Sequence, residues 1–302
     1  MTKIPWTEKT NNPFVGCEKV SPGCNNCYAE KMAMRLCAMG QEKYFPVVTP
    51  NGWTGKTNFV SSELDKLFQW KKPCMIFMVS MGDLFHEANE IDDIARVVAA
   101  MFLNQRHTFQ VLTKRPERAL FVLNNEEFWF SYHKYCNSLH DKFIKPLEQE
   151  LYFYDEIKNE WPLKNVWLGV TVENQAMADT RIPLLLQIPA VKRFVSIEPM
   201  LESVDLTSIK GNAWAAYQVL RLITGAGDSD RPALDWVIVG AESGPKRRPF
   251  NEEWACVIKN QCIRNNVPFF YKQKYIGNKK IILPLLDGQI WNQTPSKHIL
   301  ND

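Results

Sequence analysis

Val166-Trp-Leu-Gly-Val-Thr-Val172 runs directly into Glu173-Asn174. The run is short, rich in β-branched and aromatic residues, and apolar on both of its alternating faces. A strand with no polar face is buried from both sides, as in parallel sheets covered by helices. The same pattern recurs upstream at Met75–Ser80 and Thr108–Leu112, and downstream at Arg193–Ile197, Trp236–Val239 and Pro268–Tyr271. Amphipathic stretches separate these runs. Ile91–Leu103 places Ile91, Ile94, Val97, Val98, Met101 and Phe102 at helical spacing, and Asn251–Asn265 reads as another helix. Alternating strands and helices predict an α/β fold with a parallel sheet or barrel.

Each apolar run ends in polar residues: Gly82-Asp83, Thr113-Lys114, Glu173-Asn174, Glu198, Glu242-Ser243 and Lys272-Gln273. In parallel barrels the C-terminal strand ends form the active-site face, so a polar mouth is expected above an apolar core. One domain over 1–302 is expected, interrupted by insertions at about 119–162 and 208–232. The first carries the aromatic stretch Phe128–Trp161, interleaved with Lys134, Lys142 and Lys145. It reads either as a binding platform or as an insertion that buries its aromatics on the barrel.

The 302 residues are 45% hydrophobic and 23% charged, enough for a large core and too apolar for wholesale disorder. A net charge of +3 selects no class of partner. The start, Met1-Thr-Lys-Ile-Pro-Trp-Thr-Glu-Lys, lacks the apolar core of a signal peptide, and no run approaches the roughly 18 apolar residues of a membrane span. A cytoplasmic protein with no membrane partner is expected. Its eight cysteines are then expected as thiols or metal ligands.

Three of them crowd into Gly16-Cys17-Glu-Lys-Val-Ser-Pro-Gly-Cys24-Asn-Asn-Cys27, a loop that leads into a predicted helix over Tyr28–Met39. Pro22 and two glycines allow the backbone to fold tightly around an ion. Three readings stay open on spacing alone. Three thiolates can hold a 4Fe–4S cluster whose fourth iron is open; zinc can be bound with a distant fourth ligand such as His86 or His107; or the thiols carry no metal.

The motifs Ser21–Glu30, Ser80–Glu87, His107–Pro116, Val166–Asn174, Phe194–Pro199, Trp236–Gly244 and Pro268–Gln273, in this order, resemble the phage-associated three-cysteine family of radical-SAM-like proteins. The resemblance implies a partial parallel β/α barrel of the radical-SAM type with helical insertions. It implies a 4Fe–4S cluster on Cys17, Cys24 and Cys27, with S-adenosylmethionine on the open iron and an adenosyl radical as the agent. An electron donor follows as a partner, and the host cytoplasm as location if the chain is phage-encoded. Asp83 is then expected to accept from the methionyl amino group, with Ser80 and Gly82 as backbone contacts. Ser196 and Glu198 fall to the ribose and carboxylate, and Gly240 and Glu242 to the adenosyl pocket. Against each carboxylate assignment stands a pairing with Lys114, Arg115 or Lys272 that closes the barrel mouth. The chain departs from the better-known Cys-x3-Cys-x2-Cys spacing: its first gap is six residues, and Tyr28 follows the last cysteine.

A nucleic acid or nucleotide-derived substrate is expected from three features. Phage genomes recurrently need modified bases. Lys246, Arg247 and Arg248 follow a strand end, and Lys114-Arg115 and Lys272 follow others. The aromatic insertion offers a surface for stacking a base. The competing readings are a nucleic-acid-binding protein with a purely structural zinc or iron–sulfur site, a barrel that scaffolds a partner protein, and an enzyme of small molecules or peptides.

Overall fold

The computed structural model describes residues 2, 4–144, 162–210 and 233–295. Eight strands form one sheet in strict chain order: β1 (Lys9–Asn11), β2 (Met75–Met78), β3 (Thr108–Thr113), β4 (Val166–Thr171), β5 (Lys192–Ile197), β6 (Trp236–Gly240), β7 (Phe269–Ile276) and β8 (Lys279–Ile282). Every neighbouring pair is parallel except β7 and β8, which form an antiparallel hairpin. Seven helices are described: α1 (Tyr28–Ala38), α2 (Ser62–Gln69), α3 (Ile91–Phe102), α4 (Pro116–Leu123), α5 (Glu126–Phe143), α6 (Gln175–Gln187) and α7 (Glu252–Arg264). The mixed α/β fold expected from the apolar runs is therefore present, as a curled half-barrel.

The curl follows from the side chains on the concave face. Residues alternate between faces along each strand, so Ile76 and Met78 point outward while Met75 and Phe77 point inward. The inward set is dominated by rings: Phe77, Trp167, Phe194, Trp236 and Phe270. Trp6, in the segment before β1, sits among them. Its ring centroid lies 4.8 Å from that of Phe77 on β2 and 6.2 Å from that of Trp236 on β6. One side chain thus touches strands four places apart, which requires a strongly curved sheet. Gly169 makes room for Phe194, whose ring would lie 2.6 Å from a Cβ at that position.

The outward faces pack under helices in a second, larger core that holds Ile76, Val111, Leu168, Val195 and Val237 with α3, α6 and α7. The helix expected over 91–103 forms as α3, and that over 251–265 as α7. The latter stops at Asn265 and at Asn266, whose φ is 52°.

The described part of the first insertion is α4 and α5. Phe128 and Tyr132 are fully buried on this outer side, and Phe68 stacks on Phe143 with centroids 4.2 Å apart. These aromatics are core, not a stacking platform; Phe130 alone among the described aromatics of that stretch is largely exposed. Tyr152, Phe153 and Tyr154, and nearly all of the second insertion, lie outside the described residues. Among the described residues no helix is long and apolar enough to cross a membrane.

Candidate functional site

The C-terminal strand ends open into a cavity of about 570 Å³, floored by Trp6, Phe77 and Leu112. That size lies within the usual range for small-molecule and cofactor sites. Cys17, Cys24 and Cys27 all line it, as do Ser80, Gly82, Asp83, Lys114, Arg115, Ser196, Glu198, Glu242 and Lys272. Sequence positions that span most of the chain are therefore gathered around one space. Gly240, Arg247 and Arg248 do not line it. Gly240 packs instead on Gln273, whose Nε2 would stand 3.1 Å from a Cβ there.

Four contacts hold the cysteine loop over the mouth. Gly16 donates its N–H to Met81 O at 3.1 Å, and Gly16 and Gly82 form a bridge between the loop and the end of β2. A Cβ on Gly82 would lie 2.8 Å from Gly16 O, and Gly16 itself has φ +99°, so this approach requires both glycines. Gly23 donates to Glu173 Oε1 at 3.0 Å, and Asn26 Nδ2 donates to Glu242 Oε2 at 3.0 Å. After Cys27 the chain enters α1, where the Tyr28 hydroxyl donates to Ser80 O at 2.8 Å.

The carboxylates at the strand ends are engaged within the protein. Asp83, 4% exposed, accepts from Phe85 N (3.0 Å), Thr113 Oγ1 (2.7 Å), Lys114 N (3.0 Å) and Arg115 Nη1 (3.3 Å). Four donors fill a carboxylate's lone pairs, so Asp83 fixes the ends of β2 and β3 and has no acceptor site left for an ammonium. Glu198 accepts both contacts of Lys272 Nζ, at 2.6 and 2.7 Å, and one from Gln273 Nε2 at 2.6 Å. Glu242 is bridged to the Arg248 guanidinium and to Arg248 N. Glu173, fully buried, pairs with Arg181 at 3.0 Å. Burial alone would raise the Glu173 carboxyl. Its hydrogen bond from Ser21, the Arg181 charge and the Gly23 N–H outweigh this and hold it below the ordinary carboxylate range.

The cations expected to face phosphates are largely committed in the same way. Arg115 is buried among Asp83, Glu87 at 2.5 Å and Cys17 Sγ at 3.8 Å. Arg247 donates to Gly277 O and Asn278 Oδ1 and lies over the Tyr275 ring, its guanidinium carbon 4.1 Å from the centroid. Among the described residues, Lys114 lines the cavity without a partner of this kind.

The chemistry of the thiols depends on their surroundings. Burial, then the Asp83 carboxylate, push the Cys17 thiol up to about 12 against the opposing pull of Arg115. A bound cation would reverse this, because a coordinating thiol is deprotonated. Among the described residues, Glu18, His86 and Glu87 are the one group of three candidate ligand atoms within 4.8 Å of one another. The three thiols are therefore not all within 4.8 Å of one another, against the roughly 3.8 Å that a tetrahedral zinc with 2.3 Å bonds demands.

Of the two histidines considered as a zinc ligand, His107 does not suit that role: it lies at the opposite end of β3, 3.5 Å from Cys74 Sγ through Nδ1, with Nε2 on Trp70 O. His86 accepts the Ala88 N–H on Nδ1 at 3.1 Å, which favours the tautomer with its proton on Nε2, and that buried Nε2 has no hydrogen-bond partner among the described residues.

Sequence reading missed Glu173 as the anchor of the cysteine loop, along with Asn26, Trp6, Ser243 and Lys280. Glu173 was visible as a charge ending a fully apolar strand; nothing in the chain signalled that its partner is Gly23, 150 positions away.

No curated protein and no solved structure matches this chain. A family model described as a protein of unknown function, DUF5131, matches residues 1–295 of the 302, and the chain belongs to that family.

Proposed function

We propose that this protein is a radical S-adenosylmethionine enzyme, with a 4Fe–4S cluster on Cys17, Cys24 and Cys27 at the mouth of the half-barrel. One observation carries the reading: all three thiols of a glycine-pinned loop line a single cavity at the C-terminal strand ends. The donor set fits the group. Three sulfur ligands leave one iron of a 4Fe–4S cluster open. None of the other five cysteines lines the cavity. When bound, the cluster and the sulfonium cofactor supply one-electron bond cleavage and, through it, hydrogen-atom abstraction.

In this reading the chain's own residues bind, orient and exclude water. Glu173 and Glu242 fix the cysteine loop through Gly23 and Asn26, while Tyr28 ties α1 to β2. The Ser196 hydroxyl, on the inner face of β5 and lining the cavity, would serve the ribose, and Ser80 and Gly82 would offer backbone contacts. Asp83 holds Arg115 beside Cys17 and acts as a positioning residue, which replaces its expected contact with the amino group. The Trp6, Phe77 and Leu112 floor keeps the space apolar below the reacting centre.

Anaerobic reconstitution followed by iron and sulfide analysis tests the assignment. About four irons per chain and a visible charge-transfer band are expected. Both should be lost when Cys17, Cys24 and Cys27 are changed together to Ala. Stoichiometric zinc with no iron would refute the reading.

A further inference from the structure

The cavity wall built by β7 and β8 carries more positive than negative charge. Lys272 and Lys280 both reach it, but Glu198 is the one carboxylate between them, and Lys272 and Gln273 already occupy it. Lys280 is left with a hydroxyl: its Nζ lies 3.1 Å from Ser243 Oγ, and Ser243 lines the same cavity. Among the described residues Lys280 makes no ion pair. Lys280 is an exposed side chain at the rim of the cavity. Desolvation first, and then the neighbouring Lys272 charge, lower its affinity for a proton against the pull of Glu198.

The loop that carries Ser243 is tied to the turn that leads to Lys280. Arg247 ties the Ser243–Arg248 loop to the β7–β8 turn through Gly277 O and Asn278 Oδ1. A second group in the cavity also lacks a partner. Trp6 is 4% exposed, and its indole N–H makes no hydrogen bond among the described residues. A buried donor of this kind costs stability unless something accepts from it.

We infer that Lys280 and Ser243 form a subsite for an oxyanion, the carboxylate or phosphate monoester of a small molecule held within the half-barrel. The inference deepens the proposed function by naming the substrate class, and rests on it only in calling the ligand a substrate. A small molecule is favoured over a polymer on two grounds. The cavity is of small-molecule size. A phosphodiester backbone needs a row of available cations, whereas Arg115, Arg247 and Arg248 are all engaged with protein partners, which leaves Lys114 as the other cavity-lining cation without an ion pair among the described residues.

Competitive acetylation of amines, read by peptide mass spectrometry on the full chain without added iron, tests this. Inorganic phosphate, acetate, adenosine monophosphate and a single-stranded oligonucleotide are added separately at matched ionic strength. With phosphate or acetate at four times its dissociation constant, labelling of Lys280 should fall about fivefold by mass action, while the adjacent Lys279 is unchanged. Whichever anion protects distinguishes a phosphate from a carboxylate group. Ser243→Ala should weaken that protection severalfold, and Lys280→Gln should abolish any rise in melting temperature that the anion gives. Equal labelling of Lys279 and Lys280 under all four additions would overturn the subsite. Protection by the oligonucleotide alone would overturn it in favour of a polymer. Because no iron is added, failure of the cluster assignment leaves this result standing, and failure here leaves the iron analysis standing.

Discussion

Glu173 Oε1 accepts the Gly23 N–H at 3.0 Å while Oε2 accepts from Arg181 at 3.0 Å, so one buried carboxylate joins the cysteine loop to the end of β4 and to α6. Glu173→Ala strands the Arg181 guanidinium, which is 5% exposed, without its charge partner. Loss of one member of a buried pair costs about 3–5 kcal/mol. Urea melts should show a loss of this order for Glu173→Ala and a smaller one for Glu173→Gln, which keeps the shape and one acceptor. A loss below about 1 kcal/mol in Glu173→Ala would show that the pair contributes no more than an exposed one.

The meeting of Gly16 and Gly82 gives a second prediction. Gly82→Ala places a Cβ 2.8 Å from Gly16 O, closer than such atoms normally approach, and the displaced atom is backbone. The loop must lift from β2, with strain on the order of 1–3 kcal/mol. The expected result is a lowered melting temperature together with reduced iron uptake on reconstitution. Gly40→Ala is the control for a methyl group added without a clash: a Cβ there meets nothing within 4 Å, and its only strain is that of its own positive φ, which Gly82 does not share. Iron uptake equal to wild type in Gly82→Ala would separate the bridge from the cysteine site.

Glu242 supplies a pH dependence. Burial alone would raise its carboxyl, but hydrogen bonds from Arg248 and Asn26 prevail and hold it below the ordinary range. A carboxyl with a depressed folded-state pKa stabilises the protein above its unfolded value of about 4.3, and this contribution disappears as pH falls through the folded value. The stability difference between wild type and Glu242→Gln should therefore be largest near neutrality and shrink in acid. Melts between about pH 7 and pH 3 measure it, and a difference independent of pH would remove Glu242 from the linkage.

Arg115 tests the corrected role of the basic residues. Its fork meets Asp83, Glu87 and Cys17 at once, which an ammonium cannot reproduce. Arg115→Met leaves Asp83, 4% exposed, without its cation, and should destabilise by about 3–5 kcal/mol. Arg115→Lys should recover part of this. The salt dependence of any nucleic-acid binding should be the same in wild type and Arg115→Met, since this guanidinium is committed to protein partners. A flatter salt slope in folded Arg115→Met would restore it as a phosphate contact.

The parallel strands were legible because each is apolar on both faces, a pattern that needs no knowledge of the partner strand. β1 was not: Lys9-Thr-Asn11 is short and polar, and becomes a strand only because Met75–Met78 lies beside it. β8 was missed for a similar reason, since Lys279-Lys-Ile-Ile282 pairs as a hairpin edge with little burial of its own.

At the site, the cysteines announced themselves through close spacing in a glycine-containing loop. The roles of the charged groups did not, because an isolated Asp, Arg or Lys at a strand end reads the same whether it faces a ligand or another side chain. Asp83 and Arg115 are 32 positions apart, and Glu242 and Asn26 are 216 apart. Only the folded arrangement shows that these pairs are satisfied internally, and that Lys280, on the strand the sequence did not reveal, is not.

Trp6 belongs to the segment ahead of β1, so the base of the half-barrel is stoppered by a residue outside the sheet. Its ring abuts Phe77, Phe194 and Trp236 and occupies the space where strand side chains alone would leave a hole. The floor of the chamber is thus partly supplied by the leading residues, since Thr2 and Ile4 line the same space. Trimming the chain back to β1 would take that ring out of the floor and leave Phe77, Phe194 and Trp236 facing the gap it filled.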